Sequence, residues 1–165
     1  MPRGFQVVND QNRTAYAIFK DEKGREHKFP KDIELPKRSD EGSAGYDFYV
    51  PKDVQILPSK KQIIWTDVKA YMEIDEVLQL HIRSSLAIKQ GLMLTNSTGI
   101  VDASYYGNEG NDGNIGVAVV NTSGKAITLK EGERFAQGIF MKYLTADHDN
   151  PTSKERKGGV GSSGK

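Results

Sequence analysis

Residues 77–91 read Val77-Leu78-Gln79-Leu80-His81-Ile82-Arg83-Ser84-Ser85-Leu86-Ala87-Ile88-Lys89-Gln90-Gly91, and the change of period inside this stretch decides the fold class. From Leu78 to Arg83 apolar and polar side chains alternate, which puts Leu78, Leu80 and Ile82 on one face of a strand and Arg83 on the other. After Arg83 the alternation stops. Serines suited to an N-cap, apolar Leu86 and Ile88, and a glycine able to take the left-handed conformation predict a short helix over Ser84–Lys89. No other stretch looks helical. Working outward on both sides, short runs rich in Val, Ile, Tyr, Phe and Thr are separated by Gly, Pro, Asn and Asp. They predict strands at Phe5–Asn9, Thr14–Lys20, Glu26–Phe29, Tyr46–Val50, Val54–Leu57, Gln62–Ala70, Val77–Arg83, Leu92–Asn96, Ile115–Asn121, Ala126–Leu129 and Phe135–Tyr143, and hence an all-β fold.

Asp21-Glu22-Lys23-Gly24-Arg25 has the length and composition of a hairpin turn between the second and third of these strands. At 165 residues the chain suits one domain, taken as 1–149 with an N-terminal hairpin extension over about 1–31. The polar, Gly/Ser-rich tail 150–165 lacks apolar periodicity and is expected to be mobile until something binds.

Composition excludes several functions. Lys and Arg number 23 against 22 Asp and Glu, a formal charge of +1, so nothing draws the whole molecule to nucleic acid or acidic membranes. Any anion site must be built locally. With no cysteine there are no disulfides, thiolate nucleophiles or Cys-based metal sites. Met1–Arg13 has no apolar core of signal-peptide length and no stretch is long enough to span a bilayer, so a soluble, cytoplasmic protein is expected. His27, His81 and His148 show no ligand spacing, and His81 reads as a strand residue.

Three segments could carry chemistry. Arg83, Ser84 and Ser85 offer a guanidinium, two hydroxyls and a helix start, all of which donate to an anion. They read equally as an N-cap beside a solvated arginine. Asp102 lies among apolar residues in Asn96-Ser97-Thr98-Gly99-Ile100-Val101-Asp102-Ala103-Ser104-Tyr105-Tyr106-Gly107. A partly desolvated carboxylate there would be a general base, and the alternative is an aspartate opening a turn. The ending Gly158-Gly159-Val160-Gly161-Ser162-Ser163-Gly164-Lys165 has Walker A spacing, but such a loop also needs a preceding strand. What survives is a glycine-rich segment whose N–H groups could wrap a triphosphate, with Arg156, Lys157 and Lys165 adding charge, or a plain linker.

Taken in order, these segments resemble the five motifs of the trimeric dUTPase family, from roughly Ile33 onward. Ala44-Gly45-Tyr46-Asp47 looks like the first motif, Arg83-Ser84-Ser85 the second, and Gly99–Asp102 through Tyr105 and Gly107 the third. Arg134-Phe135-Ala136-Gln137 resembles the fourth and the glycine–serine tail the fifth, with Val160 where the family usually has an aromatic residue. The resemblance implies a jelly-roll-like subunit with one short helix, assembled as a homotrimer whose three active sites lie at interfaces, each closed by a neighbour's tail. It implies Mg2+-dependent hydrolysis of dUTP to dUMP and pyrophosphate, keeping uracil out of DNA and supplying dUMP for thymidylate synthesis.

Residue by residue, the resemblance makes Asp102 the base that activates water. Arg83, Ser84, Ser85 and Gln137 would hold phosphates, Arg156, Ser162 and Ser163 would close over the γ end, and Asp47 would hold magnesium through water. Asn96, Gly99 and Val101 belong to the uracil-reading segment. Tyr105 would lie under the deoxyribose, although core packing would account for it equally. The partner implied is dUTP, with no membrane and no nucleic acid. A dCTP deaminase shares the fold and an Arg-Ser-Ser motif, but its glutamate is expected where this chain reads Asn114-Ile115-Gly116-Val117-Ala118-Val119-Val120. The long N-terminal hairpin also raises a nucleotide-sensing module with a protein partner, as an added function.

Overall fold

The structure is a computed structural model and describes residues 2–151. In chain order the strands are β1 (Gly4–Val7), β2 (Tyr16–Lys20), β3 (Glu26–Pro30), β4 (Lys37–Arg38), β5 (Tyr46–Tyr49), β6 (Val54–Ile56) and β7 (Lys61–Trp65). They continue with β8 (Val68–Tyr71), β9 (Glu76–Ile82), β10 (Leu92–Leu94), β11 (Gly99–Asp102), β12 (Gly116–Asn121), β13 (Ile127–Leu129) and β14 (Arg134–Lys142). Among the described residues a single α-helix, α1 (Ser84–Gln90), follows β9 and ends at Gly91, whose φ of 73° is the left-handed cap that its position predicts.

A five-stranded sheet runs β11-β9-β14-β5-β4, a three-stranded one β10-β12-β7, and β13-β6, β1-β8 and β2-β3 form pairs, all antiparallel. The alternation that marked β9 as a strand sends Leu78 and Leu80 inward. There they join Phe48, Leu92, Val101, Val117, Val119, Leu129 and Phe135 in one core. Each such fully buried side chain contributes roughly 1.5–3 kcal/mol. Among the described residues no helix is long and apolar enough to cross a membrane.

Two departures from the sequence reading matter for the site. The run Gln62–Ala70 is not one strand, because the chain turns a corner at Thr66-Asp67, where Asp67 has φ 56°. β7 on one side of the corner pairs with β12, and β8 on the other pairs with β1. Asp67 is fully buried, and its carboxylate accepts from Thr14 N and Oγ1 and from Ala15 N at 2.8–2.9 Å. The corner therefore pins the root of the N-terminal hairpin to the body. Second, Gly99–Asp102 is itself a strand, paired to β9 with Gly99 opposite Leu80 and Asp102 opposite Val77.

The N-terminal hairpin forms as β2 and β3. Asp21 Oδ1 accepts from Lys23 N and Arg25 N at 2.9 Å across the turn, and Gly24 takes φ 74°. Residues 4–7 belong to the body rather than to an extension. Phe5 packs against Tyr46, Phe48 and Phe140 at centroid distances of 5.2–5.6 Å, and Arg3 Nε donates to the buried Glu76 at 3.0 Å. The hydrogen bond from Arg3, aided by Glu73 N, holds the Glu76 carboxyl below its ordinary value of 4.5. A depressed folded-state pKa stabilises the fold above the unfolded value and ceases to do so as pH falls through the folded one. Urea midpoints measured below pH 4.5 should therefore fall with pH in the wild type, and more shallowly in Glu76→Gln. Parallel curves would remove Glu76 from the acid response.

Candidate functional site

The strand β11 forms one wall of a pocket of about 240 Å³, lined by Asn96, Gly99, Val101, Tyr105, Ile115 and Gly116 among others. That is below the roughly 300–1,000 Å³ of drug-sized sites and in keeping with one pyrimidine and its sugar. The glycines make the wall thin. A Cβ at Gly99 would lie 2.9 Å from Leu80, and one at Gly116 would lie 2.8 Å from the Trp65 ring. Three sequence-predicted residues, Asn96, Gly99 and Val101, thus meet Tyr105 in one cavity. Tyr105 is buried, and its Oη donates to Asn114 O at 2.8 Å while accepting from Asn111 Nδ2 at 2.7 Å.

Asp102 follows directly on this wall. Strand alternation turns Val101 inward and leaves Asp102 exposed in the single chain. Val101 is buried on the other face of β11, while Ile100, two residues earlier on the same face as Asp102, is itself exposed, so neither shields the carboxylate from solvent within this chain.

A second cluster is built on β5, β9 and β14. Asp47, buried on β5, lies opposite Gln137 of β14, which lies opposite His81 of β9. Asp47 Oδ2 accepts from Ser39 Oγ and Arg134 Nη1, both at 3.1 Å, and Oδ1 lies 3.5 Å from Arg83 Nε. One carboxylate thereby orients two guanidiniums at the start of α1, where Ser84 and Ser85 are exposed and no side chain caps the helix. The serines are helical residues, and the N-cap position falls to Arg83. A Cβ at Gly45 would meet Gln137 Oε1 at 2.2 Å, so the glutamine lies across bare backbone and a side chain there would displace its amide. The cluster is rich in donors suited to phosphate oxygens. Ser39 and Arg134 were given no role by the sequence reading, since only tertiary pairing brings them to Asp47.

The two clusters do not meet within one chain. Asp102 pairs with Val77, six residues (83 − 77) along β9 from Arg83, which at 3.3 Å per residue is roughly 20 Å. No pair of side chains spans that gap. Among the described residues no three His, Asp or Glu converge as metal ligands. Asp47 already accepts two hydrogen bonds and faces a third donor, so it suits a cation held through water rather than a protein cage. Arg156, Ser162, Ser163 and the rest of the tail from residue 152 lie outside the described residues.

An all-β chain with a cavity in keeping with a nucleoside, an exposed carboxylate beside it and a separate cluster of donors suited to phosphate has the parts a nucleotide hydrolase needs. The dUTPase family profile matches residues 31–164. This chain belongs to the dUTPase family. It is 44% identical over 133 residues, 80% of this chain and 89% of the relative, to the deoxyuridine 5'-triphosphate nucleotidohydrolase of Lactococcus lactis. It is 33% identical over 129 residues, 78% of this chain and 79% of the relative, to the enzyme of the same name from Corynebacterium jeikeium. The crystal structure of the dUTPase from Streptococcus mutans superposes with a TM-score of 0.70 at 37% identity, covering 87% of this chain and 98% of that one. The dUTPase of phage phi11 of S. aureus shares the fold at 19% identity, with a TM-score of 0.66.

Proposed function

We propose that the chain converts dUTP and water to dUMP and pyrophosphate at sites assembled between subunits of a homotrimer, with Asp102 as the base. Asp102 takes a proton from the water that attacks the α-phosphorus. The bond from that phosphorus to the α–β bridging oxygen breaks, and the electron pair leaves on pyrophosphate. Arg83, Ser84, Ser85 and Gln137 donate to the phosphate oxygens, Arg83 being preset by its pairing with Asp47. Uracil and deoxyribose occupy the pocket of Asn96, Gly99, Val101 and Tyr105. Arg156, Ser162 and Ser163 of a neighbour's tail close over the γ end. Mg2+ on the triphosphate would neutralise charge on the leaving group, with Asp47 holding one of its waters.

The roughly 20 Å between Asp102 and Arg83 is the observation that carries the shared-site reading. A triphosphate gripped by Arg83 and attacked beside Asp102 needs the two from different chains. Self-association is further supported by the outward face of the three-stranded sheet. There Met93 and Val120 are register neighbours, as are Ile63 and Ala118, and Met93 and Ile63 are 50% and 44% exposed. The dUMP formed is the substrate that thymidylate synthesis requires, and a cytoplasmic setting agrees with a chain free of cysteine.

Pyrophosphate release from dUTP, dCTP, dTTP and UTP, with Mg2+ and after its chelation, tests the reading. Release from dUTP alone, abolished by chelation, is expected. Equal release from dCTP or UTP would overturn the assignment of the pocket.

A further inference from the structure

The loop 108–114 lies between Tyr105 and β12, and Asn108 and Asn111 bond within it and to Tyr105. Asn108 Nδ2 donates to Tyr105 O and to Asn111 Oδ1, both at 2.8 Å, and Asn108 Oδ1 accepts from Gly110 N and Asn111 N. Asn111 Oδ1 also accepts from Gly113 N at 3.1 Å, leaving Asn111 Nδ2 aimed at Tyr105 Oη (2.7 Å) and Asn114 O (3.2 Å). Asp112 and Gly113 take φ of 57° and 82°, and a Cβ at Gly113 would lie 2.9 Å from Tyr105 O, so the loop sits hard against the tyrosine backbone.

The loop is braced from behind as well. Asp112 Oδ2 accepts from Asn9 N at 2.7 Å and from Lys69 Nζ at 2.8 Å, while Asn114 Nδ2 donates to Asn12 O and to the buried Asp67. These ties bind the pocket floor to residues 9–12, which precede the family match.

We propose that Asn111 is a positioning residue for sugar selection, fixing Tyr105 as the floor under the deoxyribose. This rests on the reading of the pocket as the nucleoside site. The Tyr105 hydroxyl gives its proton to Asn114 O and a lone pair to Asn111, which holds it on the loop side. The ring is left as the surface turned to the sugar. A 2'-hydroxyl set against it is stripped of water without gaining a partner, and that penalty selects against ribose. The selection depends on a ring that cannot pivot. Two hydrogen bonds to one oxygen, from a loop braced on the N-terminal segment, supply that rigidity.

Asn111→Ala removes one of the two hydrogen bonds at the Tyr105 hydroxyl and Tyr105→Phe removes both, and the second variant keeps the loop whole, since Asn111 retains Asn114 O. Each should lower the dUTP-over-UTP ratio of kcat/KM by about tenfold. The double variant should lower it no further than Tyr105→Phe alone, because the bond that Asn111→Ala removes is already absent there. A purely structural role would lower Tm while leaving the ratio at its wild-type value in both variants, and that result would overturn the proposal. A wild type that does not prefer dUTP over UTP would instead overturn the reading of the pocket.

Discussion

Asp102→Asn should lower the turnover of dUTP by about 10²–10⁴-fold while leaving nucleotide binding intact. The amide has the shape of the carboxylate but cannot take up a proton, so water bound beside it is oriented without being activated. On the proposed assignment binding survives, because the donor cluster around Arg83 would still hold the phosphates and the pocket of Asn96 and Tyr105 the base. Losing one negative charge near a triphosphate should tighten affinity if it moves it at all. Pyrophosphate release gives the first quantity, and calorimetry with a non-hydrolysable dUTP analogue the second. Near-wild-type turnover would take the base away from Asp102. Loss of binding together with turnover would recast the residue as a structural part of the end of β11.

The fold was legible wherever a local rule governed. Leu78, Leu80 and Ile82 alternate with polar residues, Gly91 stops the helix, and Gly24 turns the hairpin, each within a window of a few residues. Where partners far along the chain decide the structure, the local signal misleads. Gln62–Ala70 has strand composition throughout. Its break comes from Asp67, which answers to Thr14 and Ala15 more than fifty positions earlier. Gly99–Asp102 is short and carries residues that disfavour strands, yet extends because β9 offers a free edge.

The candidate site divides in the same way. Its motif residues could be named from their order alone. The triad of Ser39, Arg134 and Asp47, and the clamp of Asn108, Asn111 and Tyr105, exist only in three dimensions. Asp102 is the sharpest case. Val101 beside it in sequence does not shield it, since alternate residues of a strand face opposite ways, and the proposed shared site would draw its surroundings from another subunit.

That consequence sets up the other large effect. Arg83→Ala and Asp102→Asn should each be nearly inactive as pure proteins, the first through loss of a charge-assisted phosphate contact and the second through loss of the base. Mixed in equal amounts, unfolded and reassembled together, they should regain about a quarter of wild-type activity. In the proposed closed ring each site would join Asp102 of one subunit to Arg83 of the next. Random assembly then makes one site in four from two intact halves. Both chains should still fold: Asp47 keeps Ser39 and Arg134 when Arg83 is truncated, and Asp102 lies exposed at the end of its strand. Were both residues drawn from the same chain, every site in the mixture would carry one lesion and activity would stay at the level of the parents. The roughly 20 Å imposed by the pairing of Asp102 with Val77 argues against that outcome, because side-chain motion cannot close such a gap and a change of register would turn Val101 out of the core.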